Sequence, residues 1–393
     1  MITVEAALAL VLALAKPLGA EPVALRRAAG RVLAVDALAL RDQPPFAASA
    51  MDGYAIAGTA APGAVFRVVG EAGAGHGYPG RIGFGEAVRI FTGAPIPDGA
   101  SRVVIQEDVT RDGGRITLGN RLDPGDNVRP AGSDFAAGSA LQAPRRLSAH
   151  DLALLAAMNL RQVLVSRKPV VALIATGDEL VMPGEVPRPD QIIASNCFAL
   201  AAMAEAEGAE VRLLPIARDT EASLRAAVER TASADLIVTI GGASVGDHDL
   251  VARVAEDLGM ERAFYKIAMR PGKPLMAGRL RGVPMLGLPG NPVSAVVCGH
   301  LFLLPLLRVM QGLSDVTPRL QRAILSEGVE ANGPRAHYMR AQVTPGGGLP
   351  RLRAFSRQDS ALLSVLSEAN ALLYRPIGDQ ARPAGAEVQY LVV

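Results

Sequence analysis

The chain has 393 residues, enough for two or three domains that each bury a core of their own. Hydrophobic residues make up 50% and charged residues 20%, which excludes a disordered chain. The formal net charge is only +2, with acids and bases interspersed, so the basic face of a nucleic-acid binder is missing and no nucleic-acid partner is expected.

Residues 1–43 read as a helix followed by an extended segment, Gly30 to Leu40. The apolar run Ala6 to Ala15 has the length of a signal-peptide core, but no Lys or Arg precedes it and Glu5 stands where a positive charge belongs. Thr3, Val4 and Glu5 read instead as a helix cap with an acid in the first turn. From Pro44 to about 135 the chain is rich in Gly and Pro, with short β runs at Val65–Gly70, Ala87–Thr92 and Val103–Glu107, the pattern of a small all-β domain. A helix is expected over Ser148–Asn159, with Ser148 and Asp151 as a capping pair.

From Pro169 to about 317, apolar strands alternate with helices. The strands are Val170–Ile174, Val211–Ile216, Leu236–Ile240 and Val283–Leu288; the helices are Asn196–Glu207, Thr220–Arg230, Asp249–Leu258 and Asn291–Met310. Such alternation predicts a doubly wound α/β domain with right-handed crossovers. The apolar run Pro292–Leu307 is broken by Gly299, His300 and Pro305 and is too short for a span of ~20 residues, so it is expected to be a buried helix, and no membrane partner is expected. After Pro318, strands at Tyr338–Thr344, Arg351–Phe355, Ala371–Arg375 and Glu387–Val393 predict a second small β domain. Cys197 and Cys298 lie in apolar surroundings with no CxxC or Cys/His set, as small core residues of a reducing, cytoplasmic compartment do.

In an open parallel sheet, ligands bind beyond the carboxyl ends of the strands. Four loops fall there. In Ala175–Val181, Thr176 and Gly177 suit a tight turn whose N–H groups face an anion, and Asp178 and Glu179 are helix caps or cation ligands. In Gly241–Asp249, the glycines Gly241, Gly242 and Gly246, with Ser244, allow backbone N–H groups to approach a phosphate closely, while Asp247 and Asp249 are candidate Mg²⁺ ligands. Lys266–Leu275 places Lys266, Arg270 and Lys273 around a rigid Pro-Gly-Lys-Pro corner, suited to phosphate or another oxyanion. Leu288–Ala295 carries Pro289 and Gly290, then Asn291 as an N-cap and Pro292 at the first helical position, so a helix N-terminus faces the same edge. No GxxxxGK[ST] loop, strand–GxGxxG–helix fingerprint, HExxH or serine elbow occurs. In the first β domain, Asp52 lies on a Met-Asp-Gly turn, and Thr92 and Asp98 flank a Pro/Gly corner.

Taken in order, SAMDGYA, TGAPIP, ATGDEL, GGASVGDHD, MRPGKP and LPGNPVSA resemble the molybdopterin molybdenumtransferase family, MoeA and the E domain of gephyrin, over essentially the whole chain. The resemblance implies four domains in an elongated dimer: a linking domain (1–43 and 136–168), a small β domain (44–135), the α/β molybdopterin-binding domain (169–317) and a C-terminal barrel-like β domain (318–393). It implies Mg²⁺-dependent conversion of adenylylated molybdopterin and molybdate, with release of AMP and passage of the product to molybdoenzymes. The cleft is expected to combine the α/β domain of one subunit with the first β domain of the other.

Carried onto this chain, the resemblance gives Asp52, Thr92, Glu179, Asp235, Asp249, Lys266 and Lys273 as catalytic residues. Asp249, with Asp247, would hold Mg²⁺. Arg270, Lys273 and Pro274, joined by Arg340 and Ser360, would bind molybdate. Two departures stand out: Arg270 replaces a frequent Lys, and Gln358-Asp359-Ser360 replaces a Gln-Gly-Ser turn. A pyrophosphate-cleaving hydrolase on the same α/β domain and a non-catalytic molybdopterin-binding scaffold are the alternative readings. The first does not need the SAMDGYA and TGAPIP motifs; the second does not need the acids of the site.

Overall fold

The computed structural model describes residues 1–242 and 250–393. It forms two compact units, Pro22–Val165, and Met1–Glu21 together with Ser166–Val393.

In Pro22–Val165 a six-stranded sheet runs in the order Arg102–Ile105, Gly53–Ile56, Glu86–Ile90, Val65–Ala72, Arg115–Leu118, Val109–Asp112. Gly53–Ile56 is buried at every position because the sheet is covered on both faces: Ala55 joins the cluster of Val88, Ile90 and Val103, while Tyr54 and Ile56 join that of Phe66 and Ile116. The expected strand Gly30–Leu40 is two short strands, Val32–Leu33 and Ala37–Leu38, paired with Arg145–Arg146 and Ala140–Leu141. Asp36 lies between them and its carboxylate accepts the Ala143 N–H at 2.8 Å. The helix Ala149–Ala157 opens with the expected capping box: Ser148 Oγ accepts the Asp151 N–H at 3.2 Å, and Asp151 accepts the Ser148 N–H at 2.8 Å.

In the other unit, the α/β sheet has the order Glu210–Leu213, Val170–Ala175, Leu236–Ile240, Val283–Leu288, Met276–Leu280, Met260–Tyr265. The first four strands are parallel, and the last two form an antiparallel extension. The sheet is therefore mixed rather than wholly parallel. Val170–Ala175 and Leu236–Ile240 are buried along their whole length, as central strands covered on both faces must be. Helix Asn196–Ala206 buries Cys197, Leu200, Ala201 and Ala204, one face at helical spacing.

The helical segment Pro292–Met310 contains a π turn at Gly299–Leu303, and most of its residues are buried inside the unit. Gly299 lets it approach Asn196–Ala206 closely, since a Cβ there would stand 2.9 Å from both Leu200 and Met203. Helix Val4–Leu12, capped by Thr3, packs Val4, Ala7 and Val11 into the same core as Phe302 and Leu306. Residues 1–21 thus fold with the α/β unit, although the sequence grouped them with the linking segment; a short amphipathic helix carries no mark of its partner.

The C-terminal strands Ala336–Thr344, Arg351–Ala354, Gln321–Leu325, Glu387–Val392 and Ala371–Arg375 pair in that order, and the last pairs back to the first, closing a barrel. Gln321–Leu325 was not foreseen. One short strand from the α/β domain, Met269–Arg270, adds in parallel to Ala336 and His337.

Candidate active site

The carboxyl edge of the α/β sheet carries two adjoining cavities. The larger, about 540 Å³, is lined by Thr176, Glu179, Asn196, Gly241, Gly242 and the Pro289–Pro292 turn, among others. The smaller, about 320 Å³, is lined by Arg270, Lys273, Arg335, Gln358, Asp359 and Ser360, with the Pro271–Gly272 corner between the first two. Pro274, Asn291 and Ser294 line both. Residues up to 186 positions apart in the chain, from Ala175 to Ala361, are therefore gathered at one edge.

Close packing shapes the floor of the larger cavity. Gly241 has φ 95° and Gly242 φ 67°, in the left-handed region. A Cβ on Gly241 would stand 2.7 Å from the Thr176 carbonyl oxygen, and one on Gly242 2.3 Å from Val251. Both positions thus require glycine for backbone angle and for space. Thr176 is buried, and its N–H donates to the Ile240 carbonyl at 2.9 Å. Gly177 lies behind it beneath the Glu179 side chain and does not line the cavity.

The first loop is fixed from the neighbouring strand end by residues that the sequence reading missed. Arg218 donates to the carbonyls of Asp178 and Leu180 at 3.2 and 3.0 Å. Asp178 and Asp219 exchange bonds, each carboxylate accepting the other's N–H, at 3.1 and 3.4 Å. These residues sit in an Arg-Asp-Thr helix entry, where Thr220 is the cap, so the sequence shows only an ordinary helix start. Asn196, at the start of its helix, donates to the Gly290 carbonyl at 2.7 Å and holds the Leu-Pro-Gly-Asn turn.

Asn291 occupies the N-cap position with Pro292 after it, but its side chain makes no capping bond. Its Nδ2 donates instead to Ser360 Oγ at 3.0 Å, and the Val293 N–H donates to the Ser360 carbonyl at 3.0 Å. Ser360 is thereby seated on the helix entry.

Three expected positions are corrected. Arg340 does not line the smaller cavity; it is 1% exposed, and its guanidinium donates inward to the carbonyls of Leu362 and Arg357, each at 3.1 Å. Arg335, five residues earlier, takes the place expected of it. Asp235 lies at the amino end of its strand, opposite the cavities, and makes a two-pronged pair with Arg167 at 2.7 and 2.8 Å. Burial works against its charge, but the Arg167 bonds and the Val170 N–H hold its pKa below the ordinary carboxylate value. Lys266 lines neither cavity; its ammonium stands 4.9 Å from the centre of the Tyr265 ring.

In the other unit Asp52 and Thr92 meet directly. Asp52 Oδ1 accepts the Thr92 N–H and the Thr92 hydroxyl, both at 2.8 Å. The backbone bond, then the hydroxyl bond, lower the Asp52 pKa, so it is a carboxylate at neutral pH. Ser244, Gly246, Asp247 and Asp249 lie outside the described residues. Among the described residues no group of three or more His, Cys, Asp and Glu side chains is arranged to hold a metal.

Three family models match the chain: the MoeA N-terminal region (domain I and II) over residues 2–159, "Probable molybdopterin binding domain" over 172–309, and the MoeA C-terminal region (domain IV) over 322–393. A molybdopterin molybdenumtransferase of Nostoc sp. is 35% identical over 94% of this chain and 88% of its own length. Another, from Haemophilus influenzae, is 37% identical over 75% of this chain and 74% of its own. The crystal structure of a molybdopterin biosynthesis MoeA protein from Pyrococcus horikoshii superposes with a TM-score of 0.85 at 31% identity, covering 100% of this chain and 99% of that one.

Proposed function

Because this chain belongs to the molybdopterin molybdenumtransferase family, and is therefore a transferase of molybdenum cofactor biosynthesis, we propose that it inserts molybdenum from molybdate into adenylylated molybdopterin and releases AMP. The reaction takes place in the cytoplasm, in a homodimer, and its product passes to molybdoenzymes.

The observation that carries this reading is the pair of adjoining cavities with one shared wall. The larger has the glycine-rich floor and the helix entry suited to a phosphorylated nucleotide. The smaller presents Arg270, Lys273 and Arg335 to a small oxyanion. Arg270 and Lys273 attract molybdate, and Lys273 balances charge developing on the leaving phosphate. Lys266 would join it there only if its side chain swings from Tyr265. Glu179, on the rim of the larger cavity, orients the pterin or a water. Asp52, oriented by Thr92, does the same from the partner subunit.

The carboxylates of Asp249 and Asp247 are hard oxygen donors and fit Mg²⁺, which would neutralise the adenylate phosphates. Purified chain supplied with adenylylated molybdopterin, Mg²⁺ and molybdate should release AMP, and should do so only with molybdate present. AMP release that ignores molybdate would favour the pyrophosphate-cleaving alternative; none at all would favour the scaffold. Asp249→Asn should lose most of the activity and its response to added Mg²⁺.

A further inference from the structure

Ser360 reaches the smaller cavity from the C-terminal domain, on the loop Arg357–Leu362. Of the two side chains that fix this loop, Arg340 is buried away from the cavity, and Gln358 is half-buried and lines it. The Arg340 guanidinium bonds the carbonyls of both Arg357 and Leu362, so one planar group ties together the two ends of the loop. Gln358 completes the tie. Its Oε1 accepts the Arg340 N–H at 3.0 Å, and its Nε2 donates to the carbonyls of Arg340 at 2.9 Å and Phe355 at 2.7 Å. On the other side, Asn291 and Val293 receive Ser360 at the helix entry. The loop is thus pinned at its root to the barrel and at its tip to the α/β domain.

We propose that Arg340 and Gln358 are positioning residues for oxyanion binding, which act by fixing Ser360 at the wall of the cavity. This rests on the reading of that cavity as the molybdate site. The chemistry requires these side chains. A lysine at 340 offers one point charge and cannot span two carbonyls 5 residues apart in a fixed fork, as the 357 and 362 positions demand. An alanine at 358 removes the partner of the Arg340 N–H and of the Phe355 carbonyl, and leaves the Arg340 carbonyl with the Phe355 N–H alone. In either case Ser360 loses its fixed place while the three cations of the cavity remain.

The test is direct binding of molybdate to the full-length protein by equilibrium dialysis, with binding of adenylylated molybdopterin measured in parallel. Gln358→Ala and Arg340→Lys should each raise the molybdate Kd by about tenfold, the loss of one well-made charged contact. Pterin affinity should stay within about twofold, a difference below ~0.5 kcal/mol. Because Gln358 acts through Ser360, Gln358→Ala should add nothing in a Ser360→Ala background.

A molybdate Kd unchanged in Gln358→Ala, or additive losses in the double variant, overturns the proposal. If Arg340→Lys fails to fold, the Gln358 cycle decides alone. Wild-type protein that binds no molybdate removes the reading of the cavity itself, and the proposal with it; this outcome is distinct from intact wild-type binding with an indifferent Gln358.

Discussion

Asp52 accepts two hydrogen bonds from one residue, the N–H and the hydroxyl of Thr92, on the same oxygen. Forty positions separate the two in the chain, and the contact joins the SAMDGYA turn to the TGAPIP corner. Thr92→Val removes the hydroxyl and keeps the N–H, so turnover should fall roughly tenfold, the worth of one hydrogen bond to a charge at ~1.4 kcal/mol. Asp52→Ala should be close to inactive. Mixing it with Asp249→Asn under conditions of subunit exchange should restore activity if Asp52 serves the partner's cleft. Exchange without recovery would place each cleft within a single chain.

Asp235 should matter for stability rather than for turnover. It ties Arg167 and the Val170 N–H at the amino edge of the sheet. Asp235→Ala strands a partly buried guanidinium and an N–H, at a cost of about 1–3 kcal/mol. The melting midpoint should drop while kcat stays near wild type. A large fall in kcat with an unchanged midpoint would return Asp235 to the catalytic set.

Asp359 lines the cationic cavity and sets a carboxylate among Arg270, Lys273 and Arg335. Its Oδ1 accepts the Ala361 N–H at 2.8 Å, which partly turns it from the cavity without removing its charge. Asp359→Gly should lower the half-saturating molybdate concentration by a few-fold, since repulsion across a solvated cavity is on the order of 1 kcal/mol. Raising the ionic strength should narrow the difference between the two proteins. Weaker molybdate binding in the variant would mean that the turn closed by Asp359 matters more than its charge.

His337 sets a pH dependence for the fold. It is buried and faces Arg270, Arg335, Arg340 and Arg375; burial first, then these cations, depress its pKa to about 4. The unfolded chain takes up the proton near pH 6.5 and the native chain does not. Stability is therefore full above about 6.5 and declines as the pH falls towards 4, by on the order of 3 kcal/mol for this imidazole. His300, also depressed to about 4 by burial and then by Arg308, adds a decline of the same sign. Urea unfolding at pH 7 and pH 5 should show the loss, and His337→Gln should reduce it. An equal loss in the variant would assign the effect elsewhere.

Much of the architecture could be read from the sequence because its strongest signals are physical. A six-residue apolar run such as Val170–Ala175 has few places to go except the centre of a covered sheet, and a Ser-x-x-Asp pair before an apolar helix caps it. The antiparallel strand Met260–Tyr265 escaped notice because Met-Glu-Arg-Ala-Phe-Tyr has no steady alternation; it is an edge strand whose exposed stretch runs from Glu261 to Ala263. In the site, the motifs located the loops but not the direction of side chains. Ala336, His337, Tyr338 and Arg340 are all buried, since this strand is covered by the barrel core on one side and the α/β domain on the other. With no alternation to read, Arg335 and Arg340 look equivalent, and only the fold shows that one faces the cavity and the other ties a loop. Asp235 misled for a similar reason: its place beside an apolar strand is visible, but which end of the sheet carries the chemistry depends on strand direction.

The ladder of Met269 and Arg270 with Ala336 and His337 makes the chain hard to cut into modules. A fragment ending near 317 would keep every strand of the α/β sheet, yet Met269 and Arg270 would lose the barrel strand that supports them. Their backbone would become an open edge, next to an apolar flank from which Tyr338, Leu372 and Leu391 had been stripped. Such an edge recruits other chains. A free-standing α/β fragment made by truncation should therefore self-associate, and a soluble version would need a charged or proline-bearing replacement at that flank.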